Sequence, residues 1–138
     1  MIRAARADDA DALARLAGEL GYPSTADEMR SRMSQLSDHD AVLVAEDDGV
    51  VEAWIHVTIA LTLQSGKSAL IAGLVVTESR RGSGIGENLV RAAEEWARER
   101  NMTKVRVRTN VDRTRTHKFY ERCGYTHKKT SRIYEKPL

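Results

Sequence analysis

Six residues past the middle of the chain, Arg81-Gly82-Ser83-Gly84-Ile85-Gly86, carry the clearest chemical signal. A nearly continuous apolar run, Ala69 to Thr77, precedes them, and an amphipathic stretch begins at Ile85. Strand, glycine-rich turn and helix in that order make a cradle for an anion. The first turn of a helix leaves backbone N–H groups unpaired at the positive end of its dipole. Glycines let that backbone approach a phosphate without interference from Cβ, and Arg81 adds a charge-assisted contact. The hexamer alone would also suit a plain turn; its two flanks favour the cradle. A P-loop would end in Gly-Lys-Ser/Thr, which is absent. A dinucleotide fingerprint would read Gly-x-Gly-x-x-Gly after the first strand, with an acid about 20 residues on. Here the spacing is Gly-x-Gly-x-Gly, and the next strand runs into Arg108-Thr109-Asn110 with no such acid.

The elements that must hold this loop can be read along the chain. Ile2 to Arg6 reads as a short strand. Asp8 or Asp9 offers a cap for a helix marked by Ala10, Leu13, Leu16, Ala17 and Leu20 and stopped by Gly21. Ser24 or Thr25 caps a second helix with Met29, Met33 and Leu36 on its apolar side. Ala41 to Ala45 is a strand, Asp47-Asp48-Gly49 a hairpin turn and Val50 to Leu63 a long alternating strand. After the turn Ser65-Gly66-Lys67 comes the apolar strand from Ala69 to Thr77. Behind the glycine loop Ile85, Leu89, Ala92, Ala93 and Trp96 form one face of a long helix. Val105 and Val107 mark another strand, Thr114 to Arg122 a short helix ended by Gly124, and Tyr125 to Glu135 a last strand. Too few strand–helix–strand repeats are present for a fully parallel sheet. The order predicts an α/β fold of the α+β type: a mixed sheet, antiparallel first, with one crossover helix between a parallel pair.

Composition bounds the function. With 138 residues, 41% hydrophobic and 30% charged, one globular domain over residues 1–138 is expected. No apolar run approaches the ~20 residues that span a bilayer, and acids follow the opening Met1–Arg6 at once, so neither a membrane span nor a signal peptide is expected. One cysteine, Cys123, cannot form an internal disulfide, which suits a cytoplasmic protein. The four histidines (39, 56, 117, 127) lack metal-ligand spacing, so no metal is expected. Net charge is +2, yet residues 1–60 hold five Lys/Arg against twelve Asp/Glu, and residues 61–138 hold seventeen against eight. The basic half suits an anionic ligand or two solvated faces of opposite sign. Nucleic acid is the weaker anion, because the basic residues are not interleaved with aromatics in any known reader motif.

The loop and its strand resemble the acetyl-CoA signature of the GNAT superfamily of N-acetyltransferases, Arg/Gln-x-x-Gly-x-Gly/Ala, with each defining position filled by Arg81 to Gly86. Phe119-Tyr120-Glu121-Arg122-Cys123-Gly124-Tyr125 is similar to the family's Phe-Tyr-Glu-x-x-Gly-Phe/Tyr segment. Asn110-x-x-Arg113-x-x-x-His117 and the ending Thr130 to Lys136 are similar to small single-domain members. The resemblance implies a mixed, mostly antiparallel central sheet with helices on both faces. It implies acetyl-CoA as co-substrate, an amine of a small molecule or peptide as acceptor, direct attack in a ternary complex, and a homodimer paired through the edge of the final strand. It places the cofactor at the backbone of Leu74, Val75 and Val76 and at Arg81, Gly82, Ser83, Gly84, Ile85 and Gly86, with Asn110 and Tyr120 alongside. Tyr120 would protonate the leaving thiolate, and Phe119 would pack.

Three positions depart from the family pattern. Glu78 stands where many members have proline, and Thr116 replaces the usual alanine before His117. The strand from Ala69 to Val76 carries no carboxylate, where many members place the general base. His56 is the candidate that remains, with Glu46, Glu52 and Asp112 weaker, a solvent-fed water chain as the alternative, and a structural role open for a lone strand histidine. His117 suits capping or packing better than cofactor contact. A module that binds CoA without turnover is the competing function, supported only by the missing strand carboxylate.

Overall fold

The computed structural model describes residues 1–138 and divides the chain into two compact units, Met1–Val107 and Arg108–Leu138. The first unit contains β1 (Ile2–Ala4), α1 (Ala10–Leu20), α2 (Ala26–Ser34), β2 (Asp40–Asp47), β3 (Val50–Thr62), β4 (Gly66–Val76), α3 (Ile85–Glu99) and β5 (Val105–Val107). Its strands form one sheet in the order β1-β2-β3-β4-β5. Every neighbouring pair is antiparallel except β4 and β5, which run parallel across the α3 crossover. The expected mixed α/β sheet is therefore the one observed.

Alternation along β3 sorts the two faces. Trp54 joins Val44, Val75, Leu13, Leu16, Met29 and Met33 in a cluster with α1 and α2. Ala53, Ile55 and Val57 are buried on the other side, and α3 packs against β2, β3 and β4. Gly86, Leu89, Val90, Ala93 and Ala97 form the buried stripe of α3. The expected face was rotated: Trp96 is only half-buried and stacks under Arg100, 4.2 Å from its ring centre. Val90 and Ala97, smaller than the indole, lie closer to the sheet.

Local chemistry explains the helix ends. Thr25, not Ser24, caps α2: its hydroxyl accepts the Glu28 N–H, and Glu28 Oε1 accepts the Thr25 N–H in return. Asp9 does not cap α1 with its side chain. Its carboxylate instead accepts the Arg6 N–H at 2.7 Å and both Arg3 Nη groups at 2.8 and 2.9 Å, joining β1 to the helix entry.

Two register shifts shape the sheet. The hairpin turn Asp48-Gly49, with both residues at positive φ, sets Asp47 opposite Val50. Glu52 is then an extra residue in β3, because Glu46 pairs with Val51 and Ala45 with Ala53. In β4 the extra residue is Ala72, since His56 lies opposite Gly73 and Val57 opposite Ile71.

The second unit contains α4 (Thr114–Arg122), which ends before Gly124 at φ 94. The expected strand from Tyr125 to Glu135 is not formed; residues 126–138 are irregular and exposed. Every residue from Thr126 to Arg132 is polar, so no alternating apolar face exists to bury, and Ile133 and Tyr134 are exposed.

Candidate active site

At the end of β4 the chain makes one 3-10 turn, Glu78–Arg80, and then the glycine loop. Gly82 and Gly84 sit at φ +80 and +91, where a side chain would strain the backbone although a Cβ would meet nothing within 4 Å. Conformation, not crowding, requires glycine here. The first hydrogen bond of α3 runs from the Asn88 N–H to the Gly84 carbonyl, and no side chain caps the helix. The N–H groups of Ile85, Gly86 and Glu87 thus form the donor set of a helix start. The Ser83 hydroxyl donates to the Arg80 carbonyl and tightens the loop. Arg81 donates from Nε to the Val76 carbonyl at 3.1 Å, and its residue is exposed. Neighbouring Arg80 is paired with Asp47 and Glu52 at 3.1 and 3.0 Å. Of the two arginines, the Arg80 side chain is held by carboxylates and the Arg81 side chain by the backbone at the end of β4.

The strand before the loop has a free edge. β5 pairs with β4 only at Ala69, Leu70 and Ile71, and the Ala72 bulge begins where that pairing ends. Beyond it β4 is paired on one side only, to β3. The Thr77 N–H bonds to the Glu52 carbonyl on β3. Alternation sends the backbone groups of Val75 to β3 as well, and those of Leu74 and Val76 to the opposite edge. Of the three strand residues expected to meet a cofactor, Leu74 therefore presents its backbone groups and Val76 its N–H, the Val76 carbonyl already accepting from Arg81; those of Val75 belong to the sheet.

Glu19, on α1, was not foreseen. Its carboxylate accepts the Glu78 N–H at 2.9 Å and the Thr77 hydroxyl at 3.0 Å. These bonds, that from Glu78 foremost, hold its carboxyl below the usual range despite partial burial. The departure at position 78 is explained: proline has no N–H to give Glu19.

The candidate bases separate clearly. Glu46 is bound by Arg3 at 2.7 Å and Glu52 lies 3.0 Å from Arg80, so each faces a permanent cation. Asp112 is exposed in a turn of the second unit. His56, on the α1–α2 face of β3, has Nε2 at 2.9 Å from Asp40 Oδ1. Asp40, read from sequence only as part of the acidic half, is the second residue that sequence reasoning missed.

In the second unit Tyr120 is buried, and Phe119 is half-buried, so the packing role expected of Phe119 belongs at least as much to Tyr120. Edge-on contacts with Phe119 and Tyr125, at 5.0 and 5.7 Å between ring centres, hold the phenol ring. Burial, with the nearby Cys123 adding to it, pushes the Tyr120 hydroxyl well above the ordinary phenol range, so it keeps a hydrogen to donate. His117 Nε2–H donates to the Asn110 carbonyl at 2.8 Å. It closes the turn that carries Asn110 without capping α4, whose start no side chain caps, and Asn110 itself is exposed. No group of three or more His, Cys, Asp or Glu residues is placed to hold a metal ion, and no helix is long and apolar enough to cross a membrane.

Comparison with known proteins agrees with this geometry. Residues 10–125 match the family model described as the acetyltransferase (GNAT) family. The chain is 33% identical over 102 residues to an aminoglycoside N(6′)-acetyltransferase type 1 of Klebsiella aerogenes, covering 71% of this chain and 67% of that protein. It is 32% identical over 114 residues to glucosamine 6-phosphate N-acetyltransferase 1 of Oryza sativa subsp. japonica, covering 77% and 67%. Each match spans about two thirds of the relative's length. Among solved structures, a putative acetyltransferase from Agrobacterium tumefaciens str. C58 superposes with a TM-score of 0.87 at 29% identity, covering 99% of both chains.

Proposed function

The chain belongs to the acetyltransferase (GNAT) family, with acetyl-CoA as co-substrate, and on that premise we propose that it acetylates a primary amine by direct attack in a ternary complex. The amine nitrogen attacks the acetyl carbonyl; the C–N bond forms, the C–S bond breaks, and the nitrogen loses a proton to a base. In this proposal the N–H groups of residues 82 to 86 and the Arg81 guanidinium hold the pyrophosphate. Leu74 offers its backbone groups and Val76 its N–H to the pantetheine arm as a strand would, with Asn110 also binding the cofactor. His56 accepts the amine proton. Tyr120 donates to the thiolate sulfur as the C–S bond breaks.

One observation supports this more than any other: the Ala72 bulge and the end of β5 pairing free the edge of β4 a few residues before a helix start with unpaired donors. The acceptor is a small-molecule amine, with amino sugars the first class to try because two relatives act on them; a peptide amine is the alternative. The family match runs through both units, which supports one acetyltransferase domain over residues 1–138. A cytoplasmic homodimer completes the proposal. Its sheet-edge pairing would require the segment after Tyr125 to become ordered on a second copy, and light scattering that finds only monomer at tens of micromolar would count against it.

Acetyl-CoA at about 100 times its Kd should stabilise the fold by about 2.7 kcal/mol, read as a raised Tm. Gly84→Asp, folded by circular dichroism, should lose that shift; a folded variant that binds as well as the parent excludes the loop. Tyr120→Phe keeps the ring and should leave acetyl-CoA binding intact while lowering kcat up to about 10²-fold. Unchanged turnover would remove Tyr120 from the chemistry. Firm acetyl-CoA binding without turnover of any amine would favour a CoA-binding module.

A further inference from the structure

We infer that Asp40 is a positioning residue for the acetyl transfer: it holds the His56 imidazole with its hydrogen on Nε2, leaving the Nδ1 lone pair to take the proton of the acceptor amine. The inference rests on the acetyl transfer proposed above and names the device that replaces the missing carboxylate of β4.

Every donor around Asp40 points to an ionised carboxylate. Oδ1 lies 2.9 Å from His56 Nε2. Oδ2 accepts the Ser37 N–H at 3.2 Å and, more weakly, the Ser37 hydroxyl at 3.5 Å. Burial is the largest single influence on this carboxyl and pulls it upward, yet the hydrogen bonds from His56, Ser37 and Thr58 outweigh it and hold it below the usual range. A carboxylate has no hydrogen to give, so the bond of 2.9 Å must be donated by Nε2–H. The neutral ring then carries its lone pair on Nδ1.

Register places His56 on the strand next to the one that carries the free edge. Asp40 side-chain exposure is 16% and that of His56 is 27%, so the positioning group is the more covered of the two. Directly across from His56 on β4 is Gly73, the residue before Leu74, whose backbone groups face the free edge. Strands lie about 5 Å apart. A group bound along that edge is thus two strand spacings from the β3 backbone, farther than an imidazole reaches by itself, so the proton passes to Nδ1 through bridging water. As the C–N bond forms, the proton leaves nitrogen for Nδ1, and Asp40 stabilises the imidazolium through Nε2–H. Solvent then takes the proton after the product leaves.

The competing account is a clasp that merely ties the Ser37–Asp40 turn to β3. Asp40→Asn separates the two. Ser37 N–H requires an oxygen, so the new amide keeps its oxygen there and turns its NH2 to His56 Nε2, which drives the ring hydrogen to Nδ1. Long-range 1H–15N spectra of the whole protein read this without any substrate. The parent should show a hydrogen on Nε2, and the variant should show it on Nδ1. With acetyl-CoA and a good amine, Asp40→Asn should lower kcat about tenfold with the KM for acetyl-CoA unchanged. His56→Gln should lower kcat about 10²-fold, and Asp40→Asn added to it should cost nothing more.

A parent ring with its hydrogen on Nδ1 overturns the inference. So does an equal loss from Asp40→Asn with and without His56. Parental turnover by His56→Gln also defeats it and leaves the acetyltransferase proposal standing. No turnover by the parent on any amine defeats the proposal beneath it, whereas the spectra decide the Asp40–His56 coupling separately.

Discussion

At one end of β2, Glu46 meets Arg3, which also holds Asp9; at the other end, Asp40 meets His56. Both clusters join a largely covered carboxylate to a nitrogen donor at 2.7 to 2.9 Å. Their partners differ. A guanidinium stays charged at any working pH and grips in a planar fork, so it can fasten β1 to the sheet but cannot move a proton. Arg3 is held further on the charged side by Asp9 first and Glu46 second. An imidazole hydrogen-bonded through one nitrogen keeps a lone pair on the other. On the proposed mechanism, two arrangements of similar geometry thus divide between fastening and proton transfer according to whether the nitrogen group can take up and release a proton.

Exchanging the partners tests the division. The largest effect should come at the His56 end, where His56→Gln lowers kcat about 10²-fold and moves Tm little. Equal losses of kcat from His56→Gln and Arg3→Met, each measured per folded molecule, would erase the contrast. Arg3→Met should instead lower Tm by roughly 5 °C, because two covered carboxylates lose their cation, while the folded fraction turns over at the parental rate.

Acid should weaken both ends. Asp9, through Arg3 foremost and against the pull of burial, lies below its ordinary value, and Asp40 does too. A carboxyl lowered by folding adds stability above its unfolded value near 3.8 and loses it as pH falls through the folded value. Melting curves between pH 6 and 2 should therefore show Tm falling most steeply below about 4. Asp9→Asn should flatten that fall, and a curve as steep as the parent's would exclude its ion pair as the cause.

The smallest effect expected lies beside His56. A Cβ on Gly73 would come 2.9 Å from Trp54 Cζ3, so Gly73→Ala must move the indole, at about 1–3 kcal/mol. Scanning calorimetry should find a Tm lower by a few degrees. If Tm instead holds and kcat falls, the indole shapes the His56 side of the sheet more than it packs it.

Much of this was legible in residue order. Apolar strand, glycine loop and amphipathic helix are local features, and backbone chemistry alone decides that Gly82 and Gly84 can take positive φ. The final strand was misread because a strand needs a partner ladder and one buried face, and residues 126–132 supply no apolar residue for that face. Glu19 was invisible for another reason. Its two partners, Thr77 and Glu78, lie 58 and 59 positions away, and no periodicity marks such a pair.

The sequence by itself determined the loop, the helix it starts and the presence of His56 without a strand carboxylate. Only the tertiary structure decided that His56 has a partner. An unbroken register from the Asp48-Gly49 turn, with Asp47 opposite Val50, would set Asp40 against Val57, on the face of β3 away from His56. The extra residue Glu52 shifts the ladder by one, so that Asp40 pairs with Thr58 and Val42 with His56. Side chains alternate with a period of two, and a one-residue slip therefore moves Asp40 to the His56 face. A bulge is settled by packing on both sides of a sheet, which no short stretch of residues encodes.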